Sequence, residues 1–255
     1  MNLTHITKTD LIKGFLQLGL KAGSCVEVHS SLSSFGYVEG GAESVIAALI
    51  SVVGEEGSII MSGYPVSREI PLTEEDRDRG IEWKVRILDP DSDERSGMGV
   101  IVDTFKKRED VVCGATGPIV CAWGKDKELL QEGYEELIEK DGYVLLLGVE
   151  VHRVSSMHLA DKIPLPKEFE EYTDEISTDI LKNYPSDQWS IGLRSKKPHD
   201  DVWQKVFDRA DQEGLIQHRQ IGQAICYLFK ARDLVEMLSD WRRDDPYGLF
   251  GVNQS

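Results

Sequence analysis

Residues 25–61, CVEVHSSLSSFGYVEGGAESVIAALISVVGEEGSIIM, decide the fold class. Cys25-Val26-Glu27-Val28 reads as a short strand, and residues 29–36 as a polar, flexible loop directly after it. Beyond Gly40-Gly41, the residues Val45, Ile46, Leu49 and Val53 recur on one helical stripe, which Gly54 stops. Residues 58–61, SIIM, form a second strand. Upstream, Thr7 and Thr9 are N-cap candidates, Asp10 suits a first helical turn, and Leu11, Phe15 and Leu18 repeat at helical spacing up to Gly19 and Gly23. Helix, strand, loop, helix, strand predicts an α/β arrangement.

Outward from this block the pattern changes. Residues 64–95 are highly charged with little periodicity and predict a long surface excursion, a length of loop that is usually functional or disordered. A helix is expected over 97–107, a short strand at 119–121, and an acidic helix over 129–140. Residues 143–148, YVLLLG, are the strongest buried-strand signal in the chain. KIPLPKEFEEY at 162–172 predicts an extended connection, 202–213 and 231–241 helices, and 221–229 a strand between them. No repeat or linker divides the chain, so one domain over 1–255 is expected.

Among the 255 residues, 45 Asp and Glu oppose 29 Lys and Arg, a formal net charge of −16. That charge argues against nucleic acid, whose phosphates supply most of such affinity, and favours a cationic ligand. No apolar run reaches the ~20 residues of a membrane span. The start lacks a basic stretch followed by an apolar one, so no signal peptide is expected. Cys25, Cys113, Cys121 and Cys226 form no CxxC pair and no cluster with histidines, which predicts no metal site and reduced thiols in a cytoplasmic protein.

Chemistry concentrates in three places. In residues 148–161, GVEVHRVSSMHLAD, a buried strand runs into a polar loop and then a helix that Ser155 or Ser156 would cap. His158 falls in its first turn, with Asp161 three residues on along the same face. Imidazole suits proton exchange near neutral pH, and a carboxylate fixes its tautomer. The second place is His29, Ser30, Ser31, Leu32, Ser33, Ser34, Phe35 and Gly36, whose amides and hydroxyls suit a phosphate or an amide-rich cofactor arm. The third is Glu94 followed by Arg95, Ser96, Gly97, Met98 and Gly99, an arginine and glycines before a helix, which suit an anion. Neither GxxxxGK[ST] nor GxGxxG spacing is present, so a nucleotide motif is not indicated.

Four collinear blocks resemble the aminoglycoside 3-N-acetyltransferase family: residues 26–61, residues 93–110 (DERSGMGVIVDTFKKRED), residues 143–161 (YVLLLGVEVHRVSSMHLAD) and residues 221–238 (IGQAICYLFKARDLVEML). The resemblance implies an α/β fold with a central mixed sheet flanked by helices, distinct from the common acetyltransferase superfamily. It implies acetyl-coenzyme A as donor and an amine acceptor, the 3-amino group of an aminoglycoside. His158 then matches the family's essential histidine as general base, supported by Asp161, with a Ser155 or Ser156 hydroxyl or a helix-start amide at the oxyanion. Coenzyme A is expected at 29–36 and 95–99, and Asp89, Asp91, Asp93 and Glu94 are placed to attract a polycation. Departures are Asp161 in place of the usual Glu, Val151, Arg153 and Val154 within a usually polar run, and no histidine in CGATGPIVCAWG at 113–124. His152 lies where the motif has no essential histidine. Competing readings are an acetyltransferase for another amine, a coenzyme A- or antibiotic-binding protein without turnover, and a thiol hydrolase using Cys113 or Cys121 with His158.

Overall fold

Thr7 opens the first helix as its sequence predicts: its hydroxyl accepts the Asp10 N–H while the Asp10 carboxylate accepts the Thr7 N–H. A computed structural model describes residues 5–89, 92–115, 119–167, 169, 176–193 and 202–251. In chain order the N-terminal part runs β1 (His5–Ile6), α1 (Lys8–Leu18), β2 (Cys25–Ser30), a 3-10 turn (Leu32–Phe35), β3 (Tyr37–Val38), α2 (Gly41–Val53) and β4 (Ser58–Ser62). The middle runs α3 (Glu74–Asp78), β5 (Ile81–Arg86), α4 (Val100–Phe105), β6 (Val111–Cys113), β7 (Val120–Gly124), α5 (Lys127–Leu130), α6 (Glu135–Glu139) and β8 (Tyr143–Leu147). Two 3-10 segments follow, Val151–Arg153 and Ser155–Lys162. The rest is α7 (Thr178–Asn183), β9 (Trp189–Leu193), α8 (Val202–Gln212), β10 (Gln217–Ile221), β11 (Ala224–Lys230), α9 (Ala231–Asp244) and α10 (Pro246–Phe250).

Seven strands make the central sheet, in the order β10-β11-β8-β2-β4-β7-β6. Its middle is parallel, with β2 pairing both β8 and β4, and the outer pairs are antiparallel. This is the expected mixed sheet flanked by helices. Alternation of side chains along each strand gives it two apolar faces. Val26, Val28, Ile59, Met61, Leu145 and Leu147 join one core, under α1, α2 and α4. Cys25, Ile60, Val144 and Leu146 join the other, under α5, α6, α8, α9 and the 3-10 segments. By the same alternation Glu27 and His29 project from the second face.

Four expectations are corrected. The 64–95 excursion is built, not featureless: Thr73 and Asp76 form a capping box on α3, and β5 pairs antiparallel with β9. Lys84 donates to Asp76 at 2.6 Å inside it, and both are buried. Burial alone would raise the Asp76 carboxyl, but hydrogen bonds from Lys84, Tyr184 and Thr73 outweigh it and hold the group below its ordinary range. The 129–140 helix is two short ones broken around Gly133, and the 221–229 strand is half of a hairpin turning at Gly222. Gly222 has φ +61°, and a Cβ there would meet Ile6 and the Phe35 carbonyl.

The fourth correction concerns the thiols. Cys113 and Cys121 oppose each other across β6 and β7, with Cα atoms 4.0 Å apart, and are joined as a disulfide. Strand pairing brings them together, which their spacing alone does not disclose. Cys25 and Cys226 stay free and buried, and burial pushes both thiols up to about 12. Among the described residues no helix is long and apolar enough to cross a membrane.

Candidate active site

Open α/β sheets bind ligands beyond the carboxyl ends of their parallel strands, where neighbouring connections diverge. Here β2 is flanked by β8 on one side and β4 on the other, and all three end at one cavity of about 970 Å³. Its walls are residues 28–33 after β2, Ser62 and Tyr64 after β4, residues 95–100 before α4, and residues 148–150, 152, 153 and 155 after β8. Four stretches far apart in sequence therefore meet at one place.

The loop after β2 divides. His29, Ser30, Ser31, Leu32, Ser33 and Gly36 line the cavity. Phe35 instead is fully buried in the first core, and Ser34 donates its hydroxyl to the Gly148 carbonyl at 2.9 Å. Those two side chains hold the loop against β8 and do not face the cavity. Gly148 has φ +67°, and a Cβ there would meet the Ser34 side chain, so the contact requires glycine. Arg95, Ser96, Gly97, Met98 and Gly99 all line the cavity. Ser96 is pinned by Asp103, which accepts from both its N–H (2.9 Å) and its hydroxyl (2.7 Å). Arg95 forms no ion pair among the described residues. Its neighbouring acids are engaged elsewhere: Glu94 with Arg86 at 2.7 Å, and Asp93 near Lys107 at 3.6 Å. Asp91 and residues 116–118 lie outside the described residues.

Behind the cavity-lining His29 sits Glu27, wholly buried on the central strand. Its Oε1 lies 2.7 Å from His29 Nε2 and accepts the Ser155 N–H at 2.9 Å and the Ser156 N–H at 3.2 Å. Oε2 has no partner among the described residues. A carboxylate thus takes the place of the expected serine cap: Val154 is the N-cap and no side chain of its own segment closes it. The expected helix is moreover a 3-10 segment, and its two leading amides are already committed. Ser156 is fully buried, and its hydroxyl has no partner among the described residues. The Ser155 hydroxyl faces the cavity and lies 2.6 Å from the Ser62 hydroxyl, which is itself 2.6 Å from the buried Tyr134 hydroxyl. Burial raises the Tyr134 phenol, so it remains protonated.

In a 3-10 segment residues three apart eclipse, with about 2 Å of rise per residue. Ser155, His158 and Asp161 therefore form one column, and His158 stands roughly 6 Å beyond the cavity-lining Ser155. His158 Nδ1 is 2.9 Å from Asp161 Oδ2, which leaves Nε2 for another partner. The ring packs edge-on to Trp203 of α8, with centroids 4.9 Å apart. Asp161 is also held by Arg242 of α9 at 2.7 Å. The hydrogen bond with His158, aided by the Arg242 charge, keeps the Asp161 carboxyl below its ordinary range despite partial burial. His152 lines the cavity 3.3 Å from Glu150.

Two placements decide between chemistries. Cys113 and Cys121 are bonded to each other, so neither is a free nucleophile for a thiol hydrolase. With the Ser155 and Ser156 amides taken by Glu27, the hydroxyl of Ser155 is the oxyanion donor left on this segment. Glu27, Ser62 and Tyr134 were not among the residues singled out from sequence. The only signal for Glu27 was a lone charge inside an otherwise apolar strand, and Ser62 and Tyr134 carried none.

Comparison with known proteins places this geometry. A sequence model of the family described as aminoglycoside 3-N-acetyltransferase matches residues 28–243. The SPbeta prophage-derived aminoglycoside N(3')-acetyltransferase-like protein YokD of Bacillus subtilis is 30% identical over 258 residues, covering 92% of each chain. The crystal structure of the aminoglycoside acetyltransferase AAC(3)-IVa apoenzyme superposes with a TM-score of 0.69 at 23% identity, covering 98% of this chain and 93% of that one. The structure of AAC-IIIb with CoASH superposes with a TM-score of 0.67 at 20% identity, covering 98% and 100%. At those identities the two crystal structures speak for the fold.

Proposed function

Because the chain belongs to the aminoglycoside 3-N-acetyltransferase family, we propose that it transfers the acetyl group of acetyl-coenzyme A to the 3-amino group of an aminoglycoside. The observation that carries this reading is the single cavity at the carboxyl ends of β2, β4 and β8, with the His158–Asp161 pair one turn from its edge. One unit spanning 1–255 holds both substrates, and the reaction belongs in the cytoplasm, where acetyl-coenzyme A is at hand.

Coenzyme A binds along His29–Gly36 and the 95–99 segment. The backbone of that loop and the Arg95 guanidinium, without an ion pair among the described residues, take its phosphate groups. The acceptor arrives as an ammonium ion and cannot attack a thioester until it loses a proton. With Nδ1 given to Asp161, His158 Nε2 takes that proton, directly or through a water. Asp161 fixes the tautomer and steadies the imidazolium that forms. The amine nitrogen then bonds to the acetyl carbon and gives up its second proton, the Ser155 hydroxyl donates to the developing oxyanion, backed by Ser62 and Tyr134, and the C–S bond breaks with its electron pair on sulfur. No enzyme nucleophile enters the scheme. Net charge of −16 draws a polycation toward the site at long range.

A simpler amine is the second reading, favoured by the burial of Val151 and Val154 where the family has polar residues. One experiment tests both: coenzyme A release with a panel of aminoglycosides and simple amines, with the product position assigned by NMR. Release that depends on an aminoglycoside and yields the 3-N-acetyl product supports the first reading. Turnover with simple amines alone supports the second. Binding of acetyl-coenzyme A and aminoglycoside without release defeats both and marks a sequestering protein.

A further inference from the structure

Acetyl transfer as derived leaves a buried imidazole unused: that of His29, nine-tenths buried, at the wall of the cavity. We propose that His29, oriented by Glu27, is the acid that protonates the coenzyme A sulfur as the acetyl group leaves it. This rests on the acetyl-transfer reading and extends it to the sulfur side of the reaction.

Hydrogen-bond accounting assigns the proton between the two side chains. Glu27 Oε1 already accepts two backbone N–H groups, so the proton in its 2.7 Å contact with His29 lies on Nε2. The other ring nitrogen, Nδ1, makes no hydrogen bond among the described residues. A buried carboxylate calls for a counter-charge, and His29 is the only ion-pair partner of Glu27 among the described residues. With Nε2 held by Glu27, Nδ1 is the ring nitrogen left for the cavity. Tyr134, the other buried acid nearby, is committed to Ser62.

Position supplies the second argument. The backbone nitrogen of Ser155 lies 3.4 Å from His29 Nε2, its N–H shared between that nitrogen and the nearer Glu27 Oε1 at 2.9 Å, and His158 stands one 3-10 turn beyond Ser155. A thioester carbonyl at the Ser155 hydroxyl is therefore flanked by one imidazole on each side. His158 Nε2, having passed the ammonium proton to solvent, takes the second proton from the nitrogen as the N–C bond forms. The C–S bond then breaks and its electron pair stays on sulfur. The proton of His29 Nδ1–H goes to that sulfur and gives the free thiol. His29 regains a proton from solvent and His158 gives up the two it took, so one proton is released per turnover and the cycle closes without any further reactant. Glu27 touches neither substrate in this scheme; it is a positioning residue for His29.

The test varies the leaving group. Acetyl-coenzyme A needs a proton at sulfur, whereas 4-nitrothiophenyl acetate departs as a stable thiolate. His29→Gln should lower turnover of acetyl-coenzyme A by about 10²-fold or more, yet that of the nitrothiophenyl ester by less than about threefold. Glu27→Gln, which keeps the ring, should show the same selectivity with a smaller loss. Equal losses with both donors, or none with either, overturn the proposal while leaving acetyl transfer standing. Should His29→Gln not fold, the wild type decides: a shallow dependence of kcat on thiol acidity supports an internal acid, and a steep one overturns it. A wild type that releases no coenzyme A with any amine overturns the functional reading and this proposal together.

Discussion

Two histidine–carboxylate pairs lie on neighbouring elements of this chain, and their surroundings differ at every point. Glu27 and His29 have side chains 0% and 10% exposed, whereas those of His158 and Asp161 are 67% and 54% exposed. In the buried pair the carboxylate also closes the start of a 3-10 segment, so it cannot change partner without loosening backbone. In the exposed pair the carboxylate is shared with Arg242 at the surface, and the imidazole keeps a nitrogen open to solvent. The same chemical unit is preorganised in one setting and exchangeable in the other. A bulky ammonium ion can reach only the second, and a group that must be held still is better served by the first.

The largest effect that could break this division comes from His158→Ala. Turnover should fall by roughly 10²–10⁴-fold, with melting temperature and acetyl-coenzyme A affinity close to wild type. A fall in melting temperature matching the loss of activity would reduce His158 to a structural role. His152→Ala is the control and should keep most activity, although its ring also lines the cavity.

Glu27→Ala comes next and acts mainly on stability. It removes the acceptor of His29, of the buried Ser156 N–H and of the part-buried Ser155 N–H, at about 1–3 kcal/mol for each unsatisfied group. Urea unfolding should therefore show a loss of about 3 kcal/mol or more; a loss below 1 kcal/mol would mean the network relaxes onto other partners. Asp161→Asn should cost on the order of tenfold in kcat, since it disturbs orientation without removing the base. Its effect on stability is the smallest, below about 0.5 kcal/mol, because the pair is largely exposed. The Asp161 carboxyl is depressed in the folded protein. Its contribution is therefore present above the ordinary carboxylate range and lost as pH falls through the lowered value. The difference in melting temperature between wild type and Asp161→Asn should accordingly shrink in acid; a difference that grows there would contradict the depressed carboxyl.

Much of this was legible because it is local. Strand β2, its loop, α2 and β4 follow from alternation, glycine punctuation and a helical stripe, and β8 from an uninterrupted apolar run. The convergence of residues 29–33, 95–99 and 155 follows once those strands are parallel neighbours. What could not be read depends on partners distant in sequence. Ser155 meets Glu27 across 128 positions, and β5 finds β9 with Ile81 opposite Leu193. Cys113 and Cys121 read as unpaired thiols until β6 and β7 are seen side by side. Sequence spacing predicts a helix over Ser155–Lys162 without distinguishing its kind, because a spacing of three puts His158 and Asp161 together in an α-helix and a 3-10 segment alike. Phe35 and Ser34 were grouped with a ligand loop whose other members are polar or small, and tertiary packing turned those two toward the protein.

The division of labour is tested most directly by imidazole NMR of the wild-type protein, with His29 and His158 assigned from their Gln variants. Coenzyme A and an aminoglycoside would be titrated in separately. The account predicts that coenzyme A shifts the His29 ring resonances and leaves those of His158 nearly in place, while the aminoglycoside does the reverse. An aminoglycoside that moves His29 and leaves His158 untouched would contradict it.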